Sequence, residues 1–452
     1  MQSRPGEPIG PWLDLQYARA GVAMLRSISP VGIVKTRPGF GQTIRPLRGS
    51  IVASPVLAGY DPDPDYFFHW FRDSAVVLDA LRLLHQRDQV GAPALAHLHD
   101  FVDFSLLLGA LDGRRLTSSP VWRTAVAPDY VKFLRTDADL ASVHGDAVAG
   151  ETRVNPDASL DISSWARPQY DGPALRALTL LRWLRLDAVA RAPQSRLPLL
   201  LGADLEFIAR HWREPSYDIW EEEKGRHYYT MCVSAAALAD GAAWLQTQDQ
   251  QALSQRYATE AQAIRSALGD FWDAQHGYMR SRLGVEQAAG NSNAANRQLD
   301  IAVVLAAIHA GGKGEHSAED PRLQATLARL ESLFDAAYQI NHGRPAGRGP
   351  AMGRYAGDVY YSGGAYYFST LGAAEFCFRA AASGHEAADW FRRGDAYLET
   401  IRAYTPENGD MSEQFDQRTG AQTSARHLAW SYACFISTIE ARGAVAGLAR
   451  PG

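Results

Sequence analysis

The chain has 452 residues, with 45 basic and 50 acidic side chains and a formal net charge of −5 at pH 7. That balance argues against a nucleic-acid partner, since binding phosphate backbones rests on a surplus of Lys and Arg. Hydrophobic residues make up 46% and charged ones 21%, which suits a large buried core and excludes a disordered chain. Length alone would allow about three domains at ~150 residues each. No Gly/Ser linker or break in composition divides the chain, so it is read as one domain over 1–452, with tails at 1–11 and 443–452. Cys232, Cys377 and Cys434 are far apart, each inside an apolar run, and read as small buried hydrophobes rather than a disulfide framework or a zinc site. The opening MQSRPGEPIGPW lacks the basic-then-apolar pattern of a secretory signal, and no apolar run approaches the ~18 residues of a membrane span. The expectation is a soluble protein with no membrane partner, the cytoplasm being favoured over export with a trimmed signal.

In chain order, apolar residues recur at spacings of three and four in segment after segment, and strand-like alternation is scarce. Helices are predicted at 13–28, at 69–85 with Ala75, Val76, Leu78, Leu81 and Leu84 on the apolar face, at 98–111, and at 172–192 with Pro173 in the first turn. Further helices follow at 196–213, 222–247, 249–273, 298–310, 320–340, 363–383, 385–403 and 426–442. Segments 172–184, 228–245, 364–382 and 427–440 are apolar nearly all round, as buried helices are, whereas 249–268 and 385–403 carry a charged face. Alternating buried and exposed helices suggest hairpins arranged as an inner layer wrapped by an outer one. The predicted class is all-α, an (α/α)6 barrel of about twelve helices.

The informative residues lie in the long connections at 29–68, 114–170, 274–297, 341–362 and 404–425, which are polar yet dotted with Trp and Tyr. Long loops of this kind in a compact domain usually serve function. One holds Tyr217-Asp218-Ile219-Trp220-Glu221-Glu222-Glu223. Adjacent carboxylates beside an indole ring favour a neutral acid and so a proton donor. The same run also reads structurally, with Asp218 as a helix N-cap and Glu221 three residues on at capping-box spacing. A second, Ser412-Glu413-Gln414-Phe415-Asp416, would be an ordinary solvated loop taken alone. Brought together, two such distant carboxylates are what glycoside hydrolysis needs. A third, Tyr66-Phe67-Phe68-His69-Trp70-Phe71-Arg72-Asp73, is either an ion pair over an aromatic core or a sugar pocket, in which rings stack and Arg and Asp pin hydroxyls. The same two readings apply to Ser164-Trp165-Ala166-Arg167-Pro168-Gln169 and to Gly353-Arg354-Tyr355 with Asp358 and Tyr360. There is no Gly-rich phosphate loop, no HExxH, no paired CxxC and no Gly-x-Ser-x-Gly. His69, His227 and His427 read as packed or surface residues rather than metal ligands.

The order of these segments resembles glycoside hydrolase family 15, the glucoamylases. The matching stretches are DPDYFFHWFRDS (63–74), SSWARPQYDGPALRA (163–177), YDIWEEEKG (217–225), GRYAGDVYY (353–361) and SEQFDQRTGAQTSARHLAWSYA (412–433), so the resemblance runs from about Trp12 to about Arg442. It implies an (α/α)6 barrel and an inverting exo-glucosidase that releases β-glucose from non-reducing ends, with Glu221 as general acid and Glu413 as general base, about 6.5–9.5 Å apart. By the same resemblance Arg72 and Asp73 hold the terminal glucose, with Tyr66 and Trp70 shaping its pocket. Glu222, Arg354 and Trp430 bind around the first two sugar positions, Trp165 lies over the leaving portion, and Arg167, Asp218, Trp220, Asp358 and Tyr360 belong to the binding region. An α-glucan or α-gluco-oligosaccharide is the implied substrate, for a monomer needing no cofactor or metal.

Two positions depart from the family pattern. Ser362-Gly363-Gly364-Ala365-Tyr366 stands where Asn-Gly-Asn-Pro-Trp is usual, and Tyr170 stands where Arg follows Arg-Pro-Gln. These leave open a preference for α-1,6 links or trehalose. The barrel also occurs in phosphorylase kinase regulatory subunits, so a non-catalytic glycan-binding domain is the reading from another class. Both candidate carboxylates are present here, which argues against it.

Overall fold

Helix periodicity translates directly into a double ring. The computed structural model describes residues 8–59, 63–190, 196–284 and 297–447. Twelve long helices run α1 (Ile9–Leu25), α2 (Phe71–Gln86), α3 (Pro93–Leu108), α4 (Asp171–Leu184), α5 (Leu197–His211), α6 (Tyr228–Thr247), α7 (Gln251–Leu268), α8 (Ala302–Ala310), α9 (Pro321–Ala337), α10 (Tyr367–Ala381), α11 (Ala387–Tyr404) and α12 (Ala429–Val445). The even-numbered helices pack each on the next, and α12 closes on α2. Each odd-numbered helix from α3 to α11 packs on the inner helix before it, and α1 packs on α12. This is the (α/α)6 barrel.

Sequence composition decides which helix goes inside. α6 is buried on every side, with Tyr228, Tyr229, Met231, Val233, Ala237 and Leu238 facing different directions. Its outer partner α7 buries Ser254, Tyr257, Ala261, Ile264 and Leu268 only, one stripe at spacings of three and four. Close approach of α5 to α6 depends on Gly241, where a Cβ would stand 2.6 Å from Leu205 Cδ2. The four segments read as apolar all round are inner helices and the two read as charged-faced are outer ones. Cys232, Cys377 and Cys434 are free thiols buried in the core.

Several boundaries differ from the sequence reading, for local reasons. His69–Trp70 pairs as a short antiparallel strand with Arg153–Val154, so α2 starts at Phe71. α3 begins earlier than expected, at Pro93, because proline suits a first turn whose N–H groups have no helical partner. α4 stops at Leu184, and a separate turn of helix follows at Asp187–Ala190; residues 191–192 of the predicted helix lie outside the described residues. α7 gives way after Leu268 to a 3-10 turn at Gly269–Phe271. The N-terminal tail expected at 1–11 contains the start of α1, and α12 reaches Val445 inside the expected C-terminal one. Strands of two to four residues, none longer among the described residues, lie in the connections that run from an outer helix to the next inner one. No helix among them is long and apolar enough to cross a membrane.

Candidate active site

The N-terminal ends of the inner helices point to one rim of the barrel, and the long connections gather there. The largest departure from the sequence reading carries the most chemistry. Residues 222–227, predicted as the start of a helix, instead belong to a hairpin in which Ser216–Tyr217 pairs with Lys224–His227. Asp218 is therefore no helix cap. Its buried carboxylate accepts the backbone N–H of Trp220 (3.2 Å), Glu222 (2.7 Å) and Glu223 (2.8 Å), and its own carbonyl accepts from Gln169 Nε2 at 2.7 Å. A charged run containing Gly225 folds as a turn because Asp218 satisfies that turn's donors better than water would. Glu221 sits at its tip with φ 64°, left-handed backbone that costs a side-chain-bearing residue about 1 kcal/mol or more.

That conformation places Glu221 among donors. Its Oε1 accepts from Trp70 Nε1 at 2.8 Å and from Arg72 Nη2 at 3.0 Å, and its Oε2 accepts from Trp165 Nε1. Glu413 comes from a strand-turn between α11 and α12, anchored by its N–H on the Ala425 carbonyl (2.8 Å) and by the Tyr367 N–H on its own carbonyl (3.2 Å). Its side chain is 8% exposed and accepts from the Ser424 hydroxyl. The Tyr66 hydroxyl lies 3.4 Å from both Glu413 oxygens and 2.7 Å from the Tyr360 hydroxyl. Burial pushes the Glu413 carboxyl up to about 7; the Ser424 hydroxyl and Arg354 oppose the shift, and the charges of Asp73 and Asp358 add to it. Glu221 and Glu413 line one cavity of about 230 Å³, with the Trp70 and Tyr66 rings, 5.2 Å apart, between them.

The floor is aromatic. Phe368 and Trp430 lie face to face at 4.4 Å and 7°, with Trp220 stacked at 5.8 Å from Phe368. Trp220 is held by its indole N–H on Asp300 at 2.9 Å, and burial pushes the Asp300 carboxyl up to about 7 against the nearby Arg282 cation. Beside this floor the Arg72 guanidinium lies between three carboxylates: Glu221 at 3.0 Å, Asp73 at 3.3 Å and Asp171 at 3.6 Å. Asp171 reaches it because Gly172 lets α4 touch α2; a Cβ there would stand 2.6 Å from Phe71 Cβ. Burial pushes Asp73 and Asp171 each up to about 6, Arg72 opposing and the Glu221 charge reinforcing the shift.

Of the residues singled out in the sequence, Tyr66, Trp70, Arg72, Asp73, Trp165, Trp220, Glu221, Glu222, Arg354, Tyr360, Glu413 and Trp430 line this cavity. Three do not. Asp218 organises the Glu221 turn. Asp358 grips Arg354 bidentately at 2.6 and 2.7 Å and accepts the Tyr366 hydroxyl at 2.9 Å. Arg167 is buried in ion pairs with Glu151 (2.7 Å) and Asp161 (3.0 Å), and so holds the loop carrying Trp165 rather than lining the cavity. Glu222 pairs with Arg354 at 3.0 Å and Arg297 at 2.9 Å. Of the two departures noted above, Tyr170 binds Glu214 on the barrel's flank, and Tyr366 supports Asp358 from behind; neither lines the cavity. Sequence reasoning missed Asp171, Ser424, Asp300 and the wall residues Ala53, Ile219, Phe368 and Leu428. Asp171 was visible only as an Asp before Gly-Pro at a helix start, with nothing to link it to Arg72. Among the described residues no group of three or more His, Cys, Asp or Glu side chains could hold a metal ion. His69 is fully buried and accepts the Ile51 N–H at 3.0 Å, its pKa pushed down to about 3 by burial and by Arg176.

A larger cavity, about 700 Å³, opens at the opposite end of the barrel among the C-terminal ends of the inner helices. Arg182 there donates to Asp79 at 2.7 Å and to the His309 carbonyl, and Arg379 donates to Glu375 at 2.8 Å. Its carboxylates Asp79, Asp240 and Glu375 are each paired with an arginine, and Phe378 and His309 are the only rings among its described lining residues.

The profile of glycosyl hydrolases family 15 matches residues 149–440. Glucoamylase 1 of Rhizopus oryzae is 26% identical, covering 96% of this chain and 71% of its own length; a probable glucoamylase of Schizosaccharomyces pombe is 28% identical, covering 96% and 92%. The solved glucoamylase of Saccharomycopsis fibuligera superposes with a TM-score of 0.78 over 99% of this chain and 98% of that one, at 20% identity, a likeness of fold. With its profile match spanning well over half the sequence, the chain belongs to glycosyl hydrolases family 15.

Proposed function

We propose that this hydrolase is an inverting, exo-acting α-glucosidase that takes the non-reducing glucosyl unit of an α-glucan or α-gluco-oligosaccharide and releases β-glucose. The supporting observation is the pair of loop carboxylates, Glu221 and Glu413, on one small aromatic-floored cavity, with Arg72 and Asp73 at its base. At about 230 Å³ the cavity falls below the ~300 Å³ at which pockets for larger ligands begin, and suits one terminal hexose better than a chain passing through. In this reading Glu221 protonates the departing glycosidic oxygen while Glu413 removes a proton from water attacking the opposite face of the ring. Arg72 and Asp73 hold hydroxyls of the bound glucose, while Glu222 and Arg354 act at the following sugar under the cover of Trp165. The names of the curated relatives, glucoamylases, point to the same substrate class.

One observation favours the exchanged assignment, with Glu413 as proton donor: burial pushes its carboxyl up to about 7. α-Glucosyl fluoride separates the two, because fluoride leaves without protonation. If Glu221 is the acid, Glu221→Gln hydrolyses the fluoride near the parent rate but not maltose, and Glu413→Gln fails on both. The converse pattern exchanges the roles. Proton NMR of the glucose first released from maltotriose and isomaltotriose, whose leaving groups are disaccharides, reports anomer and linkage together, while one β- and one α-glucose are expected from trehalose; α-glucose released first from either trisaccharide would overturn the inverting mechanism.

A further inference from the structure

Asp171 opens the first turn of α4 and is buried, yet neither of its carboxylate oxygens has a hydrogen-bond partner among the described residues. It caps nothing, since no side chain bonds the N-terminus of α4. The nearby Tyr229 hydroxyl is paired with His309 Nδ1 at 2.7 Å instead. The ion-pair partner of Asp171 among the described residues is Arg72, whose Nη1 stands 3.6 Å from Oδ2, beyond hydrogen-bonding distance. A buried charge without hydrogen bonds costs stability. Buried polar atoms are nearly always bonded, so this one calls for a reason other than packing.

The reason lies at the other edge of the same guanidinium. Arg72 Nη2 donates to Glu221 at 3.0 Å and lies 3.3 Å from Asp73, so three carboxylates meet one cation. With all three ionised the acids outnumber that cation, and a proton on Glu221 relieves the excess. Asp171 itself does not line the cavity, so it acts on Glu221 only across Arg72. Burial pushes the Asp171 carboxyl up to about 6, Arg72 opposing and the charges of Glu221 and Asp73 adding to the shift. On the alkaline side of that value Asp171 is charged, and its charge then offsets the cation facing Glu221. From the other elements Tyr66, Glu222, Arg354, Tyr360 and Glu413 face the same cavity, and Asp218 lies in the turn of Glu221. A change at Asp171 leaves all of these in place.

We propose that Asp171 is a positioning residue for the reaction: from the far edge of Arg72 it offsets the cation that Glu221 faces, and so governs when Glu221 gives up its proton. The inference rests on the glucosidase reading above for which limb of the pH profile Glu221 controls. The test compares kcat/KM against pH for maltose, whose leaving group needs a proton, with α-glucosyl fluoride, whose fluoride does not. In Asp171→Asn the alkaline limb with maltose is expected to move to lower pH by about half to one unit, roughly a three- to tenfold loss on that limb. The profile with the fluoride keeps its alkaline limb. Asp171→Ser, also neutral, gives the same displacement should the Asn variant fail to fold, and Asp171→Glu, which keeps the charge, returns the limb to its parent position. A merely structural role would lower both profiles at every pH without moving a limb. That result, or an alkaline limb displaced equally with both substrates, overturns the proposal. Glu221→Gln is scored separately on the fluoride. If it fails there, Glu221 is the base and the acid reading falls; Asp171→Asn is then expected to move the acidic limb to lower pH with both substrates, and an acidic limb left in place overturns the proposal as well.

Discussion

The two ends of the barrel face each other as a controlled contrast. At one, the positive ends of the inner helix dipoles meet Asp73, Asp171, Glu221 and Glu413; at the other, the negative ends meet Arg182, Arg185 and Arg379. The arginine end holds the larger cavity, yet Arg82, Arg182 and Arg379 are bonded to Asp79, Glu375 or the helix terminus itself. At the carboxylate end three acids share one guanidinium, and burial drives Asp73, Asp171 and Glu413 above the usual carboxylate range. The Trp430 ring on one cavity and the His309 ring on the other lie 6.3 Å apart. Cavity size therefore says little about chemistry; charge left without a full complement of partners says more.

The sharpest way to break this contrast is to remove one carboxylate at each end. Glu221→Gln and Glu413→Gln are each expected to lower kcat on maltose by about 10²- to 10⁴-fold, whereas Glu375→Gln at the far end leaves kcat within about twofold. Comparable losses at both ends would erase the distinction. Removing one arginine at each end comes next. Arg72→Ala leaves Asp73 and Asp171 buried without their cation, and thermal unfolding is expected to show a loss of about 3–5 kcal/mol together with lost turnover. Arg182→Ala, partly exposed, is expected to cost roughly 1–2 kcal/mol with kinetic constants unchanged.

The smallest expected effect sharpens the role of Glu413. A general base works ionised, and burial places this carboxyl at about 7, so kcat/KM should fall as pH drops through that region and the group takes up a proton. The Ser424 hydroxyl stabilises the ionised form. Its removal in Ser424→Ala should move the acidic limb of the profile to higher pH by a fraction of a unit to one unit. A shift to lower pH, or a limb unmoved by the substitution, would count against Glu413 as the base.

Much of the fold was legible in the residues. The number of long helices, their order, and the assignment of 228–245 to the inside and 249–268 to the outside all follow from whether apolar residues cover the whole helix or one stripe. Helix starts were less legible at 222–227, because a run of acids ahead of an apolar segment suits a capped helix and a hairpin turn equally well. Local spacing could not weigh three backbone N–H groups converging on Asp218 against one capping bond.

By itself the sequence determined the helical architecture, the absence of a basic surplus and the motifs that mark the family, since periodicity, composition and short patterns are properties of neighbouring residues. The tertiary structure alone decided that Arg167 ties down a loop instead of facing the cavity, that Asp171 joins Arg72, and that Ser424 steadies Glu413. Those outcomes depend on desolvation and on which charges the ring closure brings within about 4 Å, and neither quantity exists until distant segments have packed.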